Sequence, residues 1–92
     1  MTLLSKKGGI MIVLEKNISG KKESIIKKAK AFFEPQGEGL TVDSEGDCCI
    51  SFSGGGGYVT VTVNEEEKEN KTRIEVETRE WEYQAKKFMG TL

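Results

Sequence analysis

Residues 48–63 of this chain read Cys-Cys-Ile-Ser-Phe-Ser-Gly-Gly-Gly-Gly-Tyr-Val-Thr-Val-Thr-Val, and this stretch decides the fold. On both sides of the glycines apolar and polar side chains alternate, which is the period of a β-strand with one buried face. Glycine takes positive φ without strain, so a glycine run between two such strands predicts a hairpin. We therefore expect strands at 48–53 and 58–64, joined by a loop at 54–57.

Similar patterns continue on either side of this hairpin. Alternation predicts further strands at 10–18, 40–44 and 72–79. Apolar residues spaced as on one helix face predict two helices, one ending near Glu34 and one beginning near Glu80. The helix positions expected to face a core are Ile25, Ile26, Ala29, Phe32, Phe33, Trp81, Ala85, Phe88 and Met89. The strand positions expected to face it are Leu40, Val42, Cys48, Ile50, Phe52, Val59, Val61, Val63, Ile74 and Val76.

The element order β-α-β-β-β-β-α predicts the architecture. Short connections make the last four strands an antiparallel meander, and the first strand then pairs with the last. Each helix has one apolar stripe, so both cover the same sheet face. We expect an α+β, two-layer sandwich with a five-stranded antiparallel sheet in the order 1-5-4-3-2. Residues 1–9 are predicted to be an N-terminal tail and 10–92 a single domain, with Met11 a candidate start because Lys6–Gly9 would have purine-rich codons.

Composition narrows the function classes. The net charge is −1 and the chain has no histidine, which argues against a general affinity for nucleic acid and against histidine-based catalysis. The apolar run 10–14 is too short to span a bilayer, and we predict a cytoplasmic protein with no membrane contact. The adjacent Cys48 and Cys49 should point to opposite faces of their strand, so we expect no bridge between them. No metal, cofactor or enzymatic activity is predicted.

The element order, with the stretches Gly-Gly-Gly-Gly-Tyr-Val at 54–59 and Thr-Arg-Glu-Trp-Glu-Tyr at 78–83, carries a resemblance. The chain resembles one half of the TATA-box-binding-protein fold and a reduced helix-grip, START-like fold, as in small microbial proteins. The first resemblance implies an open sheet face that reads DNA, and the second an apolar cavity under the last helix. Here the last helix has room for about three turns. The face should also carry Asp43, Glu75 and Glu77, which repel phosphate.

Several residue groups suggest sites, each with a plainer interpretation. The glycine run precedes a strand, whereas the phosphate loop of the Walker type and the dinucleotide-binding glycine motif both precede a helix, so neither motif applies. Two interpretations of the glycine run are left: a hairpin loop, or a flap over a ligand. Glu75 and Glu77 lie about 7 Å apart on one strand face, which suits acid–base chemistry but also a solvated face. The lysines of the first helix suggest either a solvated outer face or a basic patch for nucleic acid. They are Lys21, Lys22, Lys27, Lys28 and Lys30.

The helix-free sheet face is the strongest candidate surface. We predict a small interaction module that acts through this face and the glycine loop, either on a protein partner or by homodimerisation. One alternative is a carrier of a small apolar ligand, with a pocket near Trp81 and Phe88; the other is a nucleic-acid-associated protein that uses the helix lysines. The candidate binding residues are Gly54, Gly55, Gly56, Gly57, Tyr58, Ser51, Thr60, Thr62 and Trp81.

Overall fold

A computed structural model describes residues 11–34, 38–66 and 71–92. The elements follow the predicted order, and their ends lie within a residue or two of the predicted ones. They are β1 (Met11–Ile18), α1 (Lys22–Phe33), β2 (Thr41–Glu45), β3 (Cys49–Gly54), β4 (Gly57–Glu66), β5 (Lys71–Arg79) and α2 (Glu82–Gly90). The tail predicted at 1–9 lies outside the described residues.

The predicted fold class is confirmed. Five antiparallel strands form one sheet in the order β1-β5-β4-β3-β2, and two helices accompany it. In this order β1 and β2 run parallel at opposite edges, so α1 carries the chain across the sheet between them. Its 12 residues span about 18 Å.

The core lies between the helices and one face of the sheet. Four phenylalanine rings meet there: Phe33 packs against Phe32, Phe52 and Phe88, with ring centroids 4.9, 5.2 and 5.4 Å away. Around them, the buried apolar side chains are Ile25, Ile26, Ala29, Leu40, Ile50, Val59, Val61, Val63, Ile74, Val76, Ala85 and Met89. Because the helices take up this face, no helix within residues 11–34, 38–66 and 71–92 covers the opposite face of the sheet, which we call the open face.

Four predicted core positions differ from expectation. Phe32 is only half-buried on α1, next to the fully buried Phe33. Cys48 is exposed because β3 begins one residue later than predicted, which leaves Cys48 in the preceding turn. Val42 is half-buried because β2 is an edge strand, covered on fewer sides. Trp81 is half-buried and precedes α2, which begins at Glu82, so it does not share the helix stripe with Phe88.

The two sheet edges differ in regularity. β1 pairs with β5 over eight consecutive residues, from Met11 opposite Arg79 to Ile18 opposite Thr72. β2 has only five residues, and its register with β3 shifts between Val42 and Ser44. An extra residue of this kind is a β-bulge, which bends and twists a strand and makes an edge a poor template for another strand.

Candidate functional site

The open face of the sheet is a grid of side chains from all five strands. Residues directly opposite each other in an antiparallel pair share a face, so the strand register defines the rows of this grid. Read from β1 towards β2, the first row is Met11, Arg79, Tyr58, Ser53 and Thr41, and the second row is Val13, Glu77, Thr60, Ser51 and Ser44. The third row is Glu15, Glu75, Thr62 and Cys49. The fourth row is Asn17, Arg73 and Asn64. Four of the predicted binding residues therefore lie on one face: Ser51, Tyr58, Thr60 and Thr62.

Hydroxyl groups at the centre of this open face are already ordered by hydrogen bonds. Ser51 Oγ and Thr60 Oγ1 lie 2.9 Å apart on neighbouring strands. Tyr58 donates its hydroxyl to Glu77 Oε2 at 2.7 Å, across the β4–β5 pair. Such contacts fix side-chain rotamers before any partner arrives, which reduces the entropy that binding would cost.

The Tyr58–Glu77 contact also sets the protonation of the tyrosine. The hydrogen bond to Glu77 raises the pKa of Tyr58 above the ordinary tyrosine value, with smaller contributions in the same direction from burial and from the negative charge of Glu77. The positive charge of Arg79 opposes this increase in the pKa of Tyr58. The phenol is therefore neutral and a hydrogen-bond donor throughout the physiological range.

Glu75 and Glu77, the carboxylate pair considered for acid–base chemistry, lie on the open face as predicted. Glu77 is occupied by the Tyr58 hydroxyl. Next to Glu75 in the sheet is Glu15, which accepts a hydrogen bond of 3.0 Å from Arg73 Nη2. The hydrogen bond that Arg73 donates to Glu15 is the main reason why the pKa of Arg73 lies above the ordinary arginine value. The arrangement combines an ion pair between β1 and β5 with a hydrogen bond from a neutral hydroxyl of β4 to a carboxylate of β5.

Two apolar side chains make the β1 side of the open face different from its centre. Met11 is 56% exposed and Val13 is 46% exposed, although both are large and hydrophobic. They share rows with Tyr58 and Thr60, respectively. The open face thus has an apolar margin along β1 and a polar, hydrogen-bonded centre.

The glycine run forms a tighter turn than the four-residue loop that the sequence predicted. Gly54 and Gly57 pair with each other as the last residues of the β3–β4 ladder. Only Gly55 and Gly56 lie between the strands, with φ of 57° and 85°. Positive φ at both central residues is the mark of a type I′ hairpin turn, whose twist matches that of the flanking strands.

Trp81 anchors this turn, while its half-buried side chain also packs against the apolar core. Its indole Nε1 donates a 2.8 Å hydrogen bond to the carbonyl oxygen of Gly54. The ring lies so close to Gly55 that a Cβ there would be 3.2 Å from Trp81 Cζ2. The candidate residues Gly54, Gly55 and Trp81 therefore form one contact at the end of the sheet.

The cysteine pair is also different from the prediction. Cys48 and Cys49 form a disulfide, so the expectation that adjacent residues do not bridge is wrong. The prediction assumed that both residues were in a strand, where neighbouring side chains diverge; the bridge forms because Cys48 belongs to the turn before β3. Cys49 is half-buried on the open face opposite Thr62.

The helix lysines face an open groove of mixed charge. On one side, the groove is lined by α1 and its approach, including Lys21, Lys22, Lys27 and Lys30. On the other side it is lined by Glu45, Gly46 and Asp47 from the β2–β3 turn. Lys30 Nζ lies 3.3 Å from Glu45 Oε1, so part of the basic charge is neutralised within the chain.

At the N-terminus of α1 the backbone amide of Lys22 donates a 2.7 Å hydrogen bond to Glu65 Oε2 of β4. A carboxylate at a helix N-terminus is stabilised by the free amide groups and the helix dipole. Nothing in the sequence pattern around α1 indicates a cap supplied by a residue more than forty positions away.

Within residues 11–34, 38–66 and 71–92, no cluster of three or more cysteine or acidic side chains is placed to hold a metal ion. Among those same residues no helix is long and apolar enough to cross a membrane. Comparison of the chain with models of known protein families, with curated proteins and with solved structures found no match. The resemblance to the TATA-box-binding-protein and helix-grip folds therefore stays a prediction.

Proposed function

We propose that this domain is a non-enzymatic interaction module that binds through the β1 side of its open sheet face, and that its partner is a second copy of the chain. One observation carries the proposal: β1 is a regular edge strand with exposed apolar residues. Among the described residues, β1 pairs with β5 on one side and with no strand on the other. An edge of this kind presents unpaired backbone groups to a further strand.

The other edge of the sheet is protected in the way that natural proteins protect exposed edges. β2 is short and bulged, and it carries Asp43 and Glu45. Bulges and charged residues on an edge strand disfavour strand addition. β1 has neither feature in its first half, Met11–Leu14, where four apolar residues follow one another.

The strand register restricts how two copies of β1 can pair. Opposed residues must share a face, so a two-fold axis places one residue opposite itself. Centring the axis on Glu15 would oppose two carboxylates, which is unfavourable. Centring it on Val13 opposes Val13 with Val13 on the open face and Ile12 with Leu14 on the helix face, so apolar contacts form on both sides.

The remainder of the open face supports this arrangement. Tyr58 lies in the same row as Met11, with Arg79 of β5 between them, and its ring is fixed by Glu77, so it adds a rigid aromatic surface two strands in from β1. The Gly55–Gly56 turn precedes Tyr58 and lies at the end of the sheet, where its two glycines add no side chain to the open face.

The alternative functions have less structural support. Phe88 is 1% exposed and packs against Phe32 and Phe33, so the space between α2 and α1 is filled by rings. The lysines of α1 face Glu45 and Asp47 across their groove, which weakens attraction to phosphate. A cytoplasmic location belongs to the proposal as well; a processed leader or an extracellular pool in fractionated cells would contradict it.

The experiment is a charge exchange at Val13, read by size-exclusion chromatography with light scattering. We expect the natural chain to be a dimer and the Val13→Glu and Val13→Lys variants to be monomers, because each places two like charges opposite each other. Mixing the two variants should restore a dimer, since glutamate then opposes lysine. Restoration by mixing separates a lost contact from a lost fold.

Tyr83→Glu is the matched control, because Tyr83 is 71% exposed on α2, away from the sheet. It should leave the dimer intact. A natural chain that stays monomeric at the highest soluble concentration would overturn the proposal. A dimer that survives both Val13 variants would also overturn it, because the contact would then lie elsewhere.

A further inference from the structure

The Cys48–Cys49 disulfide joins adjacent residues at the sheet surface, in the turn that leads into β3. Cys48 is exposed and Cys49 is half-buried, so neither sulfur belongs to the apolar core. Among the described residues these are the only cysteines, and both are in the bridge. Nothing in the proposed interaction through β1 uses them.

The disulfide has little to contribute as a structural cross-link. A cross-link stabilises a fold mainly by shortening the loops available to the unfolded chain, and this one closes the shortest loop possible. The backbone around it is already held by the sheet. Val63 N donates to Cys48 O at 2.7 Å, and Gly46 N donates to Cys49 O at 2.8 Å. The turn is thus defined by hydrogen bonds that do not require the sulfur–sulfur bond.

We infer that Cys48 and Cys49 form a reversible redox site whose substrate class is a dithiol reductant. Exposure of Cys48 gives a thiolate access to its sulfur, and thiol–disulfide exchange proceeds by attack of this kind. Both product thiols stay on adjacent residues held by the sheet, so the bond can form again without a rearrangement of the fold. The inference is independent of the proposed self-association.

The reaction balances in two exchange steps. A thiolate of the dithiol attacks Cys48 Sγ; the Sγ–Sγ bond breaks, and Cys49 leaves as a thiolate that takes up a proton. The second thiolate of the reductant then attacks the reductant's other sulfur, the one bonded to Cys48 in the mixed disulfide. This releases Cys48 as a thiolate, which is also protonated. The reductant becomes a cyclic disulfide, and the protein gains two electrons and two protons. The reverse exchange, with a cyclic disulfide as oxidant, closes the bond.

The test uses the full chain, dithiothreitol and its cyclic oxidised form, with N-ethylmaleimide labelling and intact mass. We expect no maleimide adduct on the oxidised protein, two adducts after dithiothreitol, and none again after the reduced protein is returned to the cyclic disulfide. The thermal midpoint of unfolding should differ between the two forms by no more than about 5 °C, because the closed loop is minimal.

The single variants Cys48→Ser and Cys49→Ser provide the control, because each leaves one thiol that should label without reductant. Two adducts on protein already treated with the cyclic disulfide would overturn the inference, since no bond would then form. Loss of the cooperative unfolding transition on reduction would overturn it as well, because the bond would then be a structural requirement.

Discussion

Tyr58 lies in the polar centre of the open face, separated from the apolar margin by Arg79 of β5. Its ring shares a row with Met11, and its hydroxyl donates to Glu77. Alternation in the sequence predicts that Tyr58 faces outward. It does not predict the Glu77 contact, because that contact depends on the pairing of β4 with β5.

The Tyr58–Glu77 hydrogen bond gives a prediction about alkaline pH. The pKa of Tyr58 is higher in the folded chain than in the unfolded chain, so the contribution to stability is complete below the ordinary tyrosine pKa and is lost as pH rises through the folded value. In a Tyr83→Phe background, tyrosinate absorbance reports Tyr58 alone. We expect Glu77→Gln in that background to lower the titration midpoint towards the ordinary value.

The Tyr58→Phe variant is the reference for this titration, because its absorbance reports Tyr83 alone. An unchanged midpoint after Glu77→Gln would show that Glu77 does not hold the pKa of Tyr58 above its ordinary value.

At the scale of elements, the β3–β4 hairpin is tied to the segment between β5 and α2. Trp81 donates to Gly54, and Gly57 lies against the backbone of Arg79 and Glu80. Glu80 itself has a positive φ of 74°, as the chain turns from the strand into the helix. The β3–β4 turn and the segment between β5 and α2 therefore pack against each other at one end of the sheet.

This close approach predicts a specific cost for a methyl group at residue 57. In Gly57→Ala the new Cβ would overlap the carbonyl oxygen of Arg79 and lie 2.5 Å from the Cβ of Glu80. Because backbone must move to relieve this overlap, we expect a loss of about 2 kcal/mol or more in the free energy of unfolding. Urea denaturation followed by circular dichroism measures it.

Gly90→Ala is the control for this substitution, since a Cβ at Gly90 meets no atom within 4 Å and the residue ends α2. It should change stability by less than about 1 kcal/mol, on the stabilising side. Equal effects at residues 57 and 90 would refute the packing argument.

At the scale of the whole molecule, the aromatic cluster joins both helices to the sheet. Phe33 is fully buried and its ring contacts rings from α1, β3 and α2, whereas Phe32, its neighbour on the same helix, is half-buried. Truncation of a buried phenylalanine removes its transfer free energy and leaves a cavity as well.

The two adjacent positions therefore give a matched pair of substitutions. We expect Phe33→Ala to lower the free energy of unfolding by about 3–5 kcal/mol and Phe32→Ala by roughly half as much or less. Since small domains have only about 5–15 kcal/mol of stability, Phe33→Leu is a milder variant that keeps the fold measurable. Equal losses for Phe32→Ala and Phe33→Ala in thermal unfolding would contradict the placement of the cluster.

The amino-acid sequence by itself determined the element order, the strand order and which sheet face is buried. Period-2 alternation in β3, β4 and β5 and a single apolar stripe on each helix were enough, because burial selects these patterns locally. The same alternation correctly placed Ser51, Tyr58, Thr60 and Thr62 on the open face.

Only the tertiary structure decided what the special residues do. Trp81 fits the helix period, but it contacts the glycine turn because the chain reverses at Glu80. Cys48 fits the strand period, but it lies in a turn, where it can bridge to Cys49. Glu65 caps α1 from a distant strand. Periodicity describes neighbours along the chain, whereas the Trp81 and Glu65 contacts join segments that only the packing of the whole domain brings together. The turn at Cys48 is likewise held by a hydrogen bond from Val63 of the neighbouring strand.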